Sequence, residues 1–304
     1  MKSKINLVSQ LAREIEADIG TRDMNKLFLE SFLKSIKSFQ YQNIKDLDTQ
    51  YKQLVHVMSN TKPKFGILIS CFRDLYKDYT KSTLHDQELI TLTINKIQEL
   101  LEDIDNQKNL IIKHSEKIDV KNKNILIHDH SHSVHDVLIN FKKIGQKFNV
   151  IVAEQESEKT HANIEILHEA NISFQVVPAY MLSHICDNID IAFFGALTLK
   201  NTLDFVMDPG THGVISELHL ANIPIYNFIN TRKFSLWESS KKEHGVFIHK
   251  HTRQHSSKPI EYDRIKYSHD RVNAKLFHRV VTNEGIFNIK KLKENFQEKY
   301  KKSN

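Results

Sequence analysis

Cysteine is nearly absent from this sequence: Cys71 and Cys186 are the only two in 304 residues. Both stand among apolar neighbours with no motif spacing between them, which excludes a disulfide framework and fits a reducing compartment. No run of about eighteen apolar residues occurs, so no transmembrane helix is expected. The opening MKSKINLVSQLAREIE is briefly basic, but no apolar stretch intervenes before Glu14. No export signal is expected, and a cytoplasmic location is. Internal repeats are also lacking.

Charge of one sign is only mildly in excess, with a net +6 and a pI near 9.0. The basic residues are spread along the chain, densest from Lys290 to Lys302, and no recognition motif accompanies them. A solvated lysine-rich surface accounts for this, and no nucleic-acid partner is expected. The length, with 40% hydrophobic residues, suffices for two modest domains, each with its own core.

What is present first is helical periodicity. Val8, Leu11, Ile15 and Ile19 repeat at helical spacing and stop at Gly20, a C-terminal cap signal. Phe28, Phe32, Ile36 and Phe39 form a second stripe, and Ile44, Leu47, Tyr51, Leu54 and Met58 a third. Beyond the breaker Thr61-Lys62-Pro63, a fourth stripe runs from Phe65 to Tyr79 and a fifth from Ile90 to Ile104. Such stripes are core seams, so residues 1–118 are expected to form a helical domain.

The pattern changes near Lys121. Short apolar runs at 124–128, 149–153, 174–177, 189–194 and 225–229 alternate with amphipathic stretches at 134–147, 159–170, 179–187 and 212–221. That alternation predicts crossover units on a doubly wound parallel sheet, and residues 119–304 are expected to form a Rossmann-like domain. The fold class is therefore α/β, a helical bundle followed by that sheet. Ligands of such sheets bind at the carboxyl ends of the strands. The loops after His128 and Phe194, and the helix start near His212, are the places to look. The segment 232–262 reads as a polar, extended excursion with one apolar patch, 245–248, and Leu292, Phe296 and Tyr300 mark a terminal helix.

The motifs in these loops resemble one family. Ile125-Leu126-Ile127-His128-Asp129-His130-Ser131 is similar to the "ILTH-x-x-S" strand and loop of the alpha/beta/delta subunits of translation initiation factor 2B. Asp190-Ile191-Ala192-Phe193-Phe194-Gly195-Ala196 resembles the family's "AD…GA" strand. Gly210-Thr211 with Asn222-Ile223-Pro224-Ile225-Tyr226 resembles its "GT…A-x-x-P-φ-Y", where φ is apolar. Arg232-Lys233-Phe234 looks like its "KF", and 280–286 like its closing "φ-φ-T-E-x-G-φ". Thr61-Lys62-Pro63 is similar to a helix start in its helical half. Six motifs in order, over residues 60–287, carry the resemblance. It implies a helical domain on a Rossmann-like domain, with self-association into a homodimer or larger even assembly through the latter.

The family also contains sugar-phosphate isomerases, which act on methylthioribose-1-phosphate or ribose-1,5-bisphosphate. Their chemistry moves protons between adjacent carbons and oxygens and needs acid–base groups close together. The resemblance places their catalytic Cys and Asp at Asp129 and Leu197 of this chain. Leucine exchanges no proton. Where those enzymes carry Asn-Lys, this chain has Met207-Asp208, and Asp208 would oppose a phosphate. The expected function is thus a non-catalytic binding or regulatory protein, with a small metabolite or a protein as partner, and translation regulation as the setting the resemblance implies. A diverged isomerase using Asp129 and a neighbouring His is the alternative.

The ligand-binding candidates are His128, Asp129, His130, Ser131, Gly195, Ala196, Asp208, Gly210, Thr211 and His212. With Lys200 further along its loop, these supply no fixed cation, so a neutral or cationic ligand or a polyol is expected over a bisphosphate. The loop 128–136 packs four His and two Asp into nine positions. His128 and His130, two apart on a strand, are expected to point the same way, and His132 and His135, three apart at a helix start, to share a face. Imidazole and carboxylate suit zinc, iron or nickel, which makes His130, His132 and His135 a metal alternative. Incidental polar substitution around a family histidine is the favoured explanation, and no cofactor is expected. Gly210-Thr211-His212-Gly213 would cradle an anion with backbone amides or simply make a tight turn. Cys186 reads as core rather than nucleophile.

Overall fold

The computed structural model describes residues 7–38, 44–59, 65–81, 86–236, 246–255 and 258–303. Thr61-Lys62-Pro63, Phe39 and Gly245 lie outside them. Four helices come first: α1 (Leu7–Ser38), α2 (Ile44–Ser59), α3 (Gly66–Lys81) and α4 (Asp86–Ser115). The first two stripes share α1, broken where the first one ends. Gly20 has φ 73° and ψ 164°, outside the helical region and rarely open to an L side chain. The seams meet in one core that includes Met24, Leu29, Phe32, Tyr51, Phe72 and Ile97. Phe32 meets Tyr51 edge-on at 5.2 Å between ring centres, the arrangement that ring quadrupoles favour. The last turns of α4 leave this core, and Ile111 packs with Ile118, Ile125 and Val134 beneath the sheet. One helix is thereby shared by both halves.

The remainder begins with β1 (Lys123–Ile127), α5 (His132–Lys143), β2 (Phe148–Ala153), α6 (Ser157–Glu169) and β3 (Phe174–Val177). It continues through β4 (Ile191–Gly195), β5 (Thr198–Leu199), β6 (Asp204–Met207), α7 (Thr211–Leu220) and β7 (Ile225–Phe228). Next are β8 (Val246–His255), β9 (Lys258–Tyr267) and β10 (Asp270–Asn273). The chain closes with β11 (Arg279–Thr282), β12 (Gly285–Phe287) and α8 (Ile289–Ser303). Seven strands form one sheet in the order β12-β11-β7-β4-β1-β2-β3, parallel throughout except for the β11–β12 pair. All five expected strands are in it. They read as continuous apolar runs because both faces are covered: Ile125 and Ile127 pack with α5 on one face, Leu126 with α7 and α8 residues on the other.

Two expectations are corrected. The stretch 179–187 forms two short 3-10 segments, Ala179–His184 and Cys186–Asn188, instead of an α-helix. It follows Pro178, and the Met181 amide closes a three-residue turn onto the Pro178 carbonyl. The excursion after Arg232 contains a regular antiparallel hairpin, β8–β9, paired over ten residues from Val246↔Tyr267 to His255↔Lys258. Its strands were hidden because 249–258 is an unbroken polar run, which leaves no apolar alternation to read. A further small sheet, β10-β6-β5, caps the carboxyl ends of the main strands.

The sheet grows outward in two directions from the β1–β4 neighbour pair, β2 and β3 on one side and β7, β11 and β12 on the other. That reversal opens a crevice beyond the carboxyl ends of β1 and β4. The helical half closes over it. The Gly66 amide donates to Thr198 Oγ1 at 3.2 Å, and a Cβ at Gly66 would lie 2.8 Å from the Lys233 carbonyl oxygen. Arg232 reaches from the sheet to Asp103 on α4 and Asp74 on α3, each at 2.9 Å.

Candidate functional site at the switch-point cleft

The cleft between the two halves is lined by Asp129, His130, Ser131, Gly195, Ala196, Leu197 and Asp208 from the sheet. The break and following turn of α1 contribute Gly20, Thr21 and Arg22, α4 contributes Lys108, and Lys233 comes from the turn after β7. Six of the ten sequence candidates therefore converge, together with Leu197. His128, Gly210, Thr211 and His212 lie outside this lining.

Asp129 is at the floor, 6% exposed. Its Oδ2 accepts the Gly195 N–H at 2.8 Å, while Oδ1 is buried with no hydrogen-bond partner. Burial, with the Asp208 charge adding to it, pushes this carboxyl up to about 7, against the pull of the Gly195 amide and Lys159. Asp208 is not a bare charge: Lys159 on α6 pairs with it at 2.5 Å. Lys233 Nζ donates to the Ala196 carbonyl at 2.9 Å, and Asn227 Nδ2 to the Gly195 carbonyl at 3.2 Å. Leu197, half-buried, follows directly and presents no ionisable group.

Ser131 caps α5, its Oγ accepting from the Val134 amide at 3.5 Å. The histidines behind it form a ring cluster. His130 stands 5.1 Å from His132 and 5.0 Å from His135, centre to centre, and His132 lies 6.2 Å from His135. His135 Nε2 meets Asn163 Oδ1 at 2.6 Å, and its Nδ1 is buried without a partner. Burial holds His130 down at about 4 and His135 at about 3. His132 Nδ1 reaches Asp23 at 3.2 Å, and this bond, helped by Arg22, keeps the Asp23 carboxyl at about 2. Arg22 also pairs with Asp136. Among the described residues no three His, Cys, Asp or Glu converge to hold a metal ion.

His128 does not point with His130. Strand β1 ends at Ile127, and the His128 ring instead meets the Ala153 carbonyl on β2, Nδ1 to oxygen 3.0 Å. The α7 amino terminus already has its anion: Asp270 Oδ2 accepts the Gly210 and His212 amides, both at 2.9 Å. Gly210 takes φ 95° to make this turn. Cys186 is half-buried against the core, its thiol donating to the Leu182 carbonyl at 3.4 Å. The expectation of a cleft without a fixed cation does not hold, since Arg22, Lys108 and Lys233 face it. Sequence reasoning passed over Arg22 and Lys108 and read Lys233 only as part of the "KF" motif. The nearest signal was Gly20, whose helix break brings Arg22 to the cleft.

A helical half closing a switch-point cleft on a Rossmann-like sheet defines a class of α/β proteins. Within it, this chain belongs to the initiation factor 2 subunit family, whose sequence pattern it matches over residues 19–289. A segment of 112 residues is 29% identical to translation initiation factor eIF2B subunit delta of Schizosaccharomyces pombe, covering 36% of this chain and 24% of that one. The matched segment thus spans about a quarter of that relative's length. Among solved structures, a translation initiation factor eIF-2B of Pyrococcus horikoshii superposes with TM-score 0.70 at 18% identity, over 92% of this chain and 96% of the other. The 5-methylthioribose 1-phosphate isomerase of the same organism gives 0.69 at 12% identity, over 98% and 88%. A chain of the tetrameric eIF2B-beta2-delta2 complex from C. thermophilum gives 0.69 at 14%, over 96% and 91%. These likenesses establish the fold. No helix among the described residues is long and apolar enough to cross a membrane.

Proposed function

We propose that this chain is a non-catalytic, self-associating binding protein of its family, and that its cleft takes a small hydroxylated metabolite carrying at most one phosphate. Leu197 beside Asp129 carries the reading. Asp129 stands at one of the two positions from which the isomerase chemistry moves protons, and a leucine stands at the other. The charge balance sets the ligand class: Arg22, Lys108 and Lys233 stand against Asp136, Asp208 and an Asp129 whose carboxyl is pushed up to about 7, which suits one anionic group and several hydroxyls. The family likeness supports self-association through the sheet half and a regulatory role in translation. Light scattering tests the former, and a monodisperse monomer at micromolar concentration refutes it.

A second reading is favoured by Asp129 alone. A buried carboxyl near 7 with a free oxygen is suited to take or give a proton at neutral pH. One experiment separates the two. The purified protein is screened by thermal shift against methylthioribose-1-phosphate, ribose-1,5-bisphosphate, ribose 5-phosphate and nucleotides, and each stabilising compound is then assayed for isomerisation. Stabilisation without turnover supports the binder. Turnover abolished by Asp129→Asn overturns it in favour of the diverged enzyme.

A further inference from the structure

Charge in the cleft is sorted by wall. The helical half contributes the cations Arg22 and Lys108 to its lining and no carboxylate. The sheet half contributes the carboxylates Asp129, Asp136 and Asp208, with Lys233 as its lysine. Arg22 takes up Asp136, which leaves Asp129 and Asp208 to face a ligand.

The surroundings of Asp208 are closed to anions. It follows β6 directly, and its partner Lys159 comes from the first turn of α6, the pair standing 2.5 Å apart with side chains only 14% and 19% exposed. The ammonium that reaches this side is therefore already neutralised. The amino terminus of α7 lies two residues beyond Asp208, and Asp270 occupies its Gly210 and His212 amides. What remains is acceptor capacity, because an ionised carboxylate only accepts hydrogen bonds. Lys159 holds Oδ2 of Asp208, and Oδ1 of Asp129 is buried with no hydrogen-bond partner. Leaving such an acceptor dry and unpaired is costly, so a donor from a ligand is favoured there. The two carboxyls are near each other: the Asp208 charge adds to burial in pushing Asp129 up to about 7.

We propose that Asp208 is the specificity-determining residue of the cleft: fixed by Lys159, it accepts ligand hydroxyls together with Asp129 and turns the ligand's anionic group toward Arg22 and Lys108 of the helical half. Lys159 is a positioning residue, acting through the carboxylate it holds. The inference rests on the reading of the cleft as a site for a hydroxylated metabolite and gives that ligand a direction. It also supplies the reason for the limit of one phosphate, since a second phosphate at the far end of a sugar would be set against two carboxyls.

The test is isothermal titration calorimetry of the full chain with ribose 5-phosphate and with ribose-1,5-bisphosphate. The wild type should favour the monophosphate by about tenfold or more, the cost of opposing like charges. Asp208→Asn, of the same shape, should weaken the monophosphate by about tenfold, the loss of a charged acceptor, and strengthen the bisphosphate, so that the preference narrows or reverses. Lys159→Met leaves Asp208 unneutralised and should sharpen the preference, and Lys159→Arg should restore the wild-type ratio. The two sites thus move one ratio in opposite directions, whereas a merely structural loss would weaken both ligands alike. A ratio unchanged by Asp208→Asn, or tighter binding of the bisphosphate to the wild type, overturns the inference while the cleft remains a metabolite site. Failure of both sugars to bind the wild type overturns the reading of the cleft and this inference with it.

Discussion

The Asp129 carboxylate accepts the Gly195 amide at 2.8 Å at a point where Gly195 has no space for a side chain: an added Cβ would lie 2.1 Å from Ser131 Oγ and 2.7 Å from Ser131 Cβ. The loops after β1 and β4 meet there through backbone, and the cleft floor depends on that approach. Gly195→Ala should cost about 1–3 kcal/mol by overpacking. Ser131→Gly in the same chain should restore part of it despite losing the α5 cap. Chemical denaturation of the two single variants and the double variant checks this, and simple additivity would show that the two sites do not touch.

Asp129 also makes stability depend on pH. Its folded carboxyl titrates near 7 against an ordinary value of 3.8, so between those values the folded state holds the proton more often. The contribution is complete below about pH 4 and is lost as pH rises through 7, at up to about 1.4 kcal/mol per pH unit. Asp129→Asn removes that dependence. Relative to wild type, the variant should be at its best at pH 8 and lose ground toward pH 4. A constant difference across that range would contradict the burial of Asp129.

His130 works in the opposite direction. Its folded value near 4, against 6.5 ordinarily, means the unfolded chain takes up the proton first on acidification. This contribution is complete above pH 6.5 and falls away as pH drops toward 4. Denaturation midpoints of His130→Gln should therefore rise relative to wild type between pH 7 and 5, while those of Asp129→Asn fall. Parallel curves would argue that the imidazole is not desolvated.

Arg232 joins the halves by its bonds to Asp74 and Asp103. Both carboxylates keep partial access to water, so Arg232→Ala should cost only about 1–2 kcal/mol. Hydrogen exchange should localise the loss to α3 and α4. Arg232→Lys should recover little of it, because one ammonium cannot bridge two carboxylates as a planar fork does.

Most of the sheet was legible. Ile125 to Ile127 and Ile191 to Phe194 announce strands buried on both faces, because only a doubly covered sheet tolerates unbroken apolar runs. The 3-10 segments at 179–187 were misread because nine amphipathic residues after a proline do not distinguish i+3 from i+4 bonding. The hairpin went unseen because 249–258 is an unbroken polar run, in which periodicity of hydrophobicity has nothing to register. His128 and His130 were paired on the assumption that β1 ran past Ile127, and a one-residue difference in where a strand stops sends its side chains apart.

By itself the sequence determined the helical seams, the strands and the loops at whose ends Asp129 and Gly195 stand, since these are set by local propensity and by burial of neighbouring residues. Only the tertiary structure decided what faces them. Arg22 is 114 residues from its partner Asp136, and Lys108 and Lys233 are as remote from one another. A charge on an amphipathic helix faces solvent by default. Which charges are drawn into a cleft depends on how the helical half packs on the sheet, which is governed by whole surfaces and which no local pattern encodes.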